Sequence, residues 1–452
     1  MHTTVSESPR REFPLLLPLA MLSELASILT GSHELGIGAA VLFGMFFLSH
    51  WRSLMPYPRR LGWITLMLLA YWIAEGKASV ASAGHLASAA AYYASFIASL
   101  SLMQCLVRRQ LQLADLHRLL LAGWSGIRYP RYVLSSLAIG SILSFGVLNL
   151  LCGSLNRHIE ALDVDDRTAS EGRRGVLVAV LRGFALVPLL APTSVAVAIL
   201  TRELHGLSWF AILPYGGVAA TLLLLVGWYQ DNRRLKDLNQ HEQIPRIPGL
   251  GQLVGVGLLG IGGMALLACL THLTSTQAAM LLVPCGICIY LLSVNGSPMA
   301  VAREMTETLA SVRNETFIFA CSGLLGGLVS QLVSLDGIAS LLAGLPGGLF
   351  LVEITGLLGI ILLSLLGVAP IISLSLISGL LVQLAEQGLP VLGPAIALIC
   401  GFSLAMLLSP FGPSALLLAR YANVSAAQVA FFWNGRFALC ALIPLLPLVL
   451  MV

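Results

Sequence analysis

GFALVPLLAP at residues 183–192 and GFSLAMLLSP at residues 401–410 are the stretches whose comparison decides the fold. Gly183 aligns with Gly401, Phe184 with Phe402, Leu186 with Leu404, Leu189 and Leu190 with Leu407 and Leu408, and Pro192 with Pro410. All share one offset of 218 residues (401 minus 183). The same offset pairs Arg202 with Arg420 and Gly217 with Gly435 without a gap. Matched leucines carry little weight in an apolar chain. Matched Gly, Phe, Pro and Arg at a fixed spacing carry more, and they predict an internal repeat. In each copy an apolar helix runs to a proline, followed by small residues (Thr193 and Ser194; Gly412, Pro413 and Ser414) and a short apolar piece ending in arginine. Proline removes a helical hydrogen bond and obstructs the preceding turn, so each helix is expected to break at Pro192 or Pro410, well inside an apolar span.

The surrounding chain has the composition of a membrane protein. Of its 452 residues 57% are hydrophobic and only 10% charged, where soluble domains carry about 25% charged residues. Apolar runs near the ~20 residues that cross hydrocarbon as helix recur throughout: 13–30, 35–50, 61–76, 84–107, 132–153, 176–200, 207–229, 250–271, 276–294, 316–333, 353–384, 390–418 and 427–451. The N-terminal basic pair, Arg10 and Arg11, precedes an apolar run that lacks a small-residue cleavage site, so that run reads as the first membrane helix rather than a signal peptide. Lys and Arg fall between the spans and do not interleave with exposed aromatics, which argues against a nucleic-acid partner.

Basic loops set the orientation. Arg10 and Arg11, then Arg52, Arg59 and Arg60, then Arg108, Arg109, Arg118, Arg128 and Arg131 mark three segments two spans apart, all cytoplasmic on the positive-inside rule. The segment 108–131 places leucines 113, 116, 119 and 120 on one helical face and is expected to lie along the membrane surface. The central polar linker, 230–249, carries Arg233, Arg234, Lys236 and Arg246 and should also be cytoplasmic; it ends there only if 132–153 enters and returns as a re-entrant hairpin. Reading 353–384, with Gly367 and Pro370 inside it, the same way gives about eleven crossings, two hairpins and a periplasmic C-terminus. The expected fold is an all-α polytopic membrane protein of two inverted repeats, each with a re-entrant hairpin and a broken transmembrane helix. Its parts are N-terminal scaffold helices and the surface helix (1–131), a first transport half (132–229), the linker (230–249), a second scaffold half (250–352) and a second transport half (353–452).

The stretches LLAPTSVAVAILTRELHGLSW (189–209) and LLSPFGPSALLLARYANVSAAQ (407–428) resemble the ion transporter superfamily, which includes divalent-anion:sodium symporters and the large membrane subunits of tripartite periplasmic transporters. The shared pattern is a proline with small hydroxylated residues, an aliphatic stretch, and a Ser-containing turn. The resemblance covers 132–229 and 353–452. It implies elevator-type transport, a homodimer, and no cofactor beyond Na+ or H+ as coupling ion. The chain departs from the divalent-anion branch at its hairpin tips: GVLN (146–149) and GVAP (367–370) stand where that branch has Ser-Asn-Thr, and only Asn149 keeps a polar side chain.

Paired interruptions in corresponding helices point to a transporter's binding site. The expected substrate or ion site is therefore Pro192, Thr193, Ser194, Ser409, Pro410, Gly412 and Ser414, with Asn149 and the 367–370 tip closing it and Arg436 as a partner for substrate charge. Arg182, Glu24 and Glu75 are further intramembrane charges. The expected activity is secondary active transport of a small organic anion across a bacterial inner membrane. Export or antiport on the same fold remains open, as does membership of a multicomponent transporter with a periplasmic binding protein. No metal site is expected, because Cys285 and Cys288 form a CxxC without further ligands. Nor is an enzyme: the nine histidines are scattered, and no HExxH or GxSxG appears.

Overall fold

The structure is a computed structural model that describes residues 15–110, 117, 120–121, 124–143, 148, 151–153, 155, 159, 165–235, 250–335 and 337–452. Among these residues all regular structure is helical. Eight helices are long and apolar enough to cross a membrane, and four shorter apolar helices accompany them. The chain is a multi-pass membrane protein. Every apolar stretch picked out in the sequence contains helix. The charged segment Pro298–Ser311 is also helical, although no apolar run marks it.

Contacts divide the chain into two compact units, each drawn from both halves of the sequence. One comprises Met1–Cys105 and Pro284–Leu324, the other Leu106–Val283 and Leu325–Val452. In the first, helices Leu16–Thr30, His33–Ser49 and Val80–Ser101 pack together. Gly36 admits polar side chains between them: a Cβ there would lie 3.2 Å from the hydroxyls of Ser27 and Ser88 and 3.5 Å from Glu24 Oε2. Glu24 is buried in this unit and Glu75 is exposed. Gly62 serves an aromatic cluster in the same way, with Trp51 and Phe317 filling the space a Cβ would need.

The second unit holds both broken helices. Asp166–Ala185 continues through the single turn Val187–Leu190, stops, and resumes as Val195–Glu203. Leu392–Leu408 stops and resumes as Pro413–Ala422. The last helical residues, 190 and 408, and the first resumed ones, 195 and 413, keep the sequence offset of 218. The helices stop two residues before Pro192 and Pro410 rather than at them. The reason is local: a residue preceding proline is driven out of the α region, and Ala191 (φ −88°, ψ 131°) and Ser409 (φ −79°, ψ 111°) are both extended.

Each broken helix packs against its own hairpin. The second hairpin is Gly348–Leu365 and Pro370–Glu386, turning through Gly367 at φ +100°. Where the first hairpin is expected, Arg128–Leu143 is helical and stands as its leading arm, and of the residues beyond it the described Leu148, Leu151, Cys152, Leu155 and Ile159 are buried. Arg128 and Arg131 thus open this arm instead of ending a surface helix. His117, Leu120 and Leu121, placed on the membrane surface by the leucine pattern, are also buried. The His117 ring explains the difference: one nitrogen lies 3.1 Å from the Tyr132 hydroxyl and the other 2.9 Å from the Leu151 carbonyl, tying this segment to both parts of the hairpin.

Glycine makes the close packing. A Cβ at Gly183 would fall 2.3 Å from the Val133 carbonyl of the first leading arm, and one at Gly401 would fall 2.7 Å from the Leu357 carbonyl of the second. The two aligned glycines therefore do the same work, letting backbones meet as small residues do in membrane helix contacts. Gly216, in helix Trp209–Asp231, is equally constrained, 2.0 Å from the Leu189 carbonyl, whereas its neighbour Gly217 faces open space. Gly216→Ala is expected to lower stability by about 1–3 kcal/mol through overpacking. Gly217→Ala should be neutral or slightly stabilising, and thermal unfolding of the two variants in detergent gives the comparison.

Candidate functional site

A broken helix leaves backbone groups that hydrocarbon cannot satisfy. At the first break the indole of Trp209 donates to the Leu190 carbonyl at 3.1 Å. The Ser194 hydroxyl caps the resumed helix, accepting from the Val197 amide at 3.2 Å, and reaches back to the Pro188 carbonyl at 3.5 Å. Thr193 donates to the Ser141 carbonyl at 2.6 Å, near the end of the leading arm of the first hairpin.

The second break is closed by the same logic with different residues. Ser409 donates to the Ser364 carbonyl at 3.1 Å, one residue before the end of the leading arm of the second hairpin. Ser414 donates to the Met406 carbonyl at 3.0 Å. Met406 is the residue 218 beyond Pro188, so equivalent carbonyls are capped, once from Ser194 and once from a position two residues later in register. Gly412 takes the N-cap position in extended conformation, and Pro413, which lacks an amide proton, takes the first helical position.

The two helices cross at equivalent points. Ser403 donates to the Ala185 carbonyl at 2.5 Å, and these residues are 218 apart. Pro413–Ala422 lies against Asp166–Ala185, and Val195–Glu203 lies against Leu392–Leu408, so the helices run antiparallel. Each break begins six residues beyond the crossing on its own helix, which is roughly 9 Å of rise. Thr193 and Ser194 therefore form one group and Ser409, Gly412 and Ser414 another, on opposite sides of the crossing. Both groups are enclosed, with Ser194 3%, Ser409 0% and Ser414 2% exposed, while Phe411, between the last two, is exposed and its ring packs on Gly367 of the adjacent hairpin tip. The packing is exchanged between halves. Val195–Glu203 touches Pro370–Glu386 of the second hairpin, and a Cβ at Gly153 of the first would lie 3.3 Å from the Tyr421 hydroxyl of the second short helix.

No protein-family model matches the chain, and no curated protein matches it in sequence. The site is therefore read from its geometry.

Arginines proposed from sequence fall outside the breaks. Arg202 and Arg420 occupy the last turns of the two short helices, the ends at which a helix dipole favours cations. Arg436 is exposed on the last helix, Asn434–Leu450. Asn149 lies outside the described residues. The group that sequence reading passed over is Asp231, which sat in a polar linker and gave no sign of facing inward. Its carboxylate accepts from Arg182 at 2.7 Å and from Arg234 at 2.7 Å. Arg182 further donates to Asn434 Oδ1 at 3.1 Å and to the Trp433 carbonyl at 3.1 Å, and stacks on Phe437. The π-helical turn Gln428–Trp433 ends at that carbonyl. Arg182 is thus fully engaged and holds three helices together.

Removing one partner of a buried ion pair strands the other charge. Arg182→Met or Asp231→Asn alone is expected to cost about 3–5 kcal/mol, while Arg182→Met combined with Asp231→Leu should recover part of that loss. Detergent-solubilised unfolding curves of the three variants provide the readout.

Proposed function

We propose that the chain is a secondary active transporter that moves a small organic anion across the membrane, driven by a sodium or proton gradient. The observation that carries this reading is the Ser403–Ala185 contact. Two copies of one motif related by a two-fold axis can touch at equivalent residues only on that axis. A contact between positions 218 apart, with antiparallel helices and matched breaks on either side, supports an inverted repeat centred on the crossing. Inverted repeats with interrupted helices near the bilayer midplane are the build of many secondary transporters.

The breaks suit such a site chemically. Thr193, Ser409 and Ser414 spend their hydroxyl protons on backbone carbonyls, which leaves their lone pairs available to a cation. The first turn of each resumed helix presents amides and the positive end of its dipole to an anion. Division of the chain into two units, with both breaks in one of them, favours an elevator in which that unit carries the solute.

Single cysteines replacing Val147 and Val368, at the two expected hairpin tips, should react with membrane-impermeant thiol reagents from opposite sides in cells; reaction of both from the same side rejects the inverted repeat. In proteoliposomes, Ser194→Trp and Ser414→Trp should each abolish gradient-driven uptake of an organic acid selected by thermal shift, with folding kept. Unchanged uptake in both removes the breaks as the site.

A further inference from the structure

Among the described residues, one end of the second unit gathers Arg128, Arg173, Arg174, Arg233 and Arg234, with Glu171 and Asp231 as acids near Arg174. Arg128, 1% exposed, donates to the Leu235 carbonyl at 2.9 Å and so fixes the short turn Asn232–Leu235 against the start of the first hairpin. The same turn packs on helix Asp166–Ala185, where a Cβ at Gly175 would lie 3.1 Å from Cβ of Arg234. Arg174, immediately before that glycine, lies near Arg234, donates to the Phe432 carbonyl at 3.4 Å and sits over the Trp433 ring; Arg173 precedes it on the helix, and Arg233 and Arg234 belong to the turn. Asp231 is already shared between Arg182 and Arg234. The Nε atoms of Arg173 and Arg174 are buried and make no hydrogen bond. Desolvated guanidinium nitrogens beside other arginines call for an anion.

The level of the cluster identifies the anion. It sits where membrane helices end: Asp231 closes one apolar helix, and the apolar part of Asp166–Ala185 starts just after Arg174. Aromatic side chains surround it. Trp124, Tyr229 and Phe432 are 69%, 90% and 78% exposed, and the Trp228 indole donates to the Gly126 carbonyl at 2.7 Å. Exposed Trp and Tyr at helix ends mark the headgroup level of a bilayer, and basic pockets there bind acidic lipid headgroups. A free phosphate would have no use for the aromatic collar.

We propose that Arg173, Arg174, Arg233 and Arg234 bind the phosphate of an anionic phospholipid headgroup. The site lies apart from both breaks, and the proposal holds whether or not the chain transports a solute.

Native mass spectrometry of the full chain, released from detergent with graded phosphatidylglycerol, measures the interaction. Arg173 and Arg233 make no hydrogen bond among the described residues, so the pair Arg173→Gln and Arg233→Gln should fold normally. It should lose phosphatidylglycerol affinity roughly thirtyfold, and Arg173→Lys with Arg233→Lys should restore most of it. Wild-type binding should weaken with added salt. Equal retention of phosphatidylglycerol by wild type and the Gln pair would overturn the proposal, as would equal retention of phosphatidylcholine and phosphatidylglycerol by the wild type. Inorganic phosphate displacing phosphatidylglycerol at comparable concentration would show a free-anion site and overturn the lipid assignment.

Discussion

Hydrocarbon offers a peptide group nothing to bond with, and the second unit is organised around the two places where its helices leave peptide groups unpaired. Each break has three kinds of closure. A hydroxyl reaches back to a carbonyl in the turn before the break, another hydroxyl reaches a carbonyl near the end of a hairpin arm, and an N-cap residue starts the next helix. The hairpins are thereby fastened to the breaks by side chain to backbone bonds. A change in conformation at either break must alter these bonds.

The crossing of the two helices explains why the closures come in pairs. Gly183 and Gly401 lie two residues before Ala185 and Ser403, and each admits a carbonyl of its own hairpin. Crossing point and hairpin contact thus occupy the same turn of helix. Any rotation of one helix about the crossing shifts its hairpin at short radius and its break at a longer one. Val195–Glu203 and Pro413–Ala422 contact the opposite half, so motion in one copy is transmitted to the other through packed side chains.

The breaks were legible in the sequence because proline, glycine and a fixed offset are signals of backbone geometry. Residues 190 and 408 end their helices as the prolines two positions on require. Their closures were legible only in part. Ser194 and Ser414 cap equivalent carbonyls from positions that do not align, so no comparison of the two copies pairs them. Trp209 looks like an interfacial aromatic until its indole is seen on the Leu190 carbonyl. Asp231 and His117 were hidden by their neighbours: both sit in polar or amphipathic segments whose average character is that of a surface, while the individual side chain turns inward to a specific partner. Periodicity reports the face a segment presents on average and cannot report one residue that departs from it.

Charge is distributed in a way that separates two kinds of recognition. Arg182, one of the further intramembrane charges marked by sequence, is held by Asp231, Asn434 and the Trp433 carbonyl. Arg202 and Arg420 complement helix C-termini. On the proposed function, anion recognition at the breaks would rest on helix N-terminal amides, which carry only a fraction of a unit charge. Such a site would discriminate by the shape of the hairpin tip, where Gly367 and Phe411 meet, more than by charge. On that proposal, a tip without the Ser-Asn-Thr of the divalent-anion branch, bordered by an exposed phenylalanine, would suit a solute with one charged end and an apolar remainder better than a compact dianion.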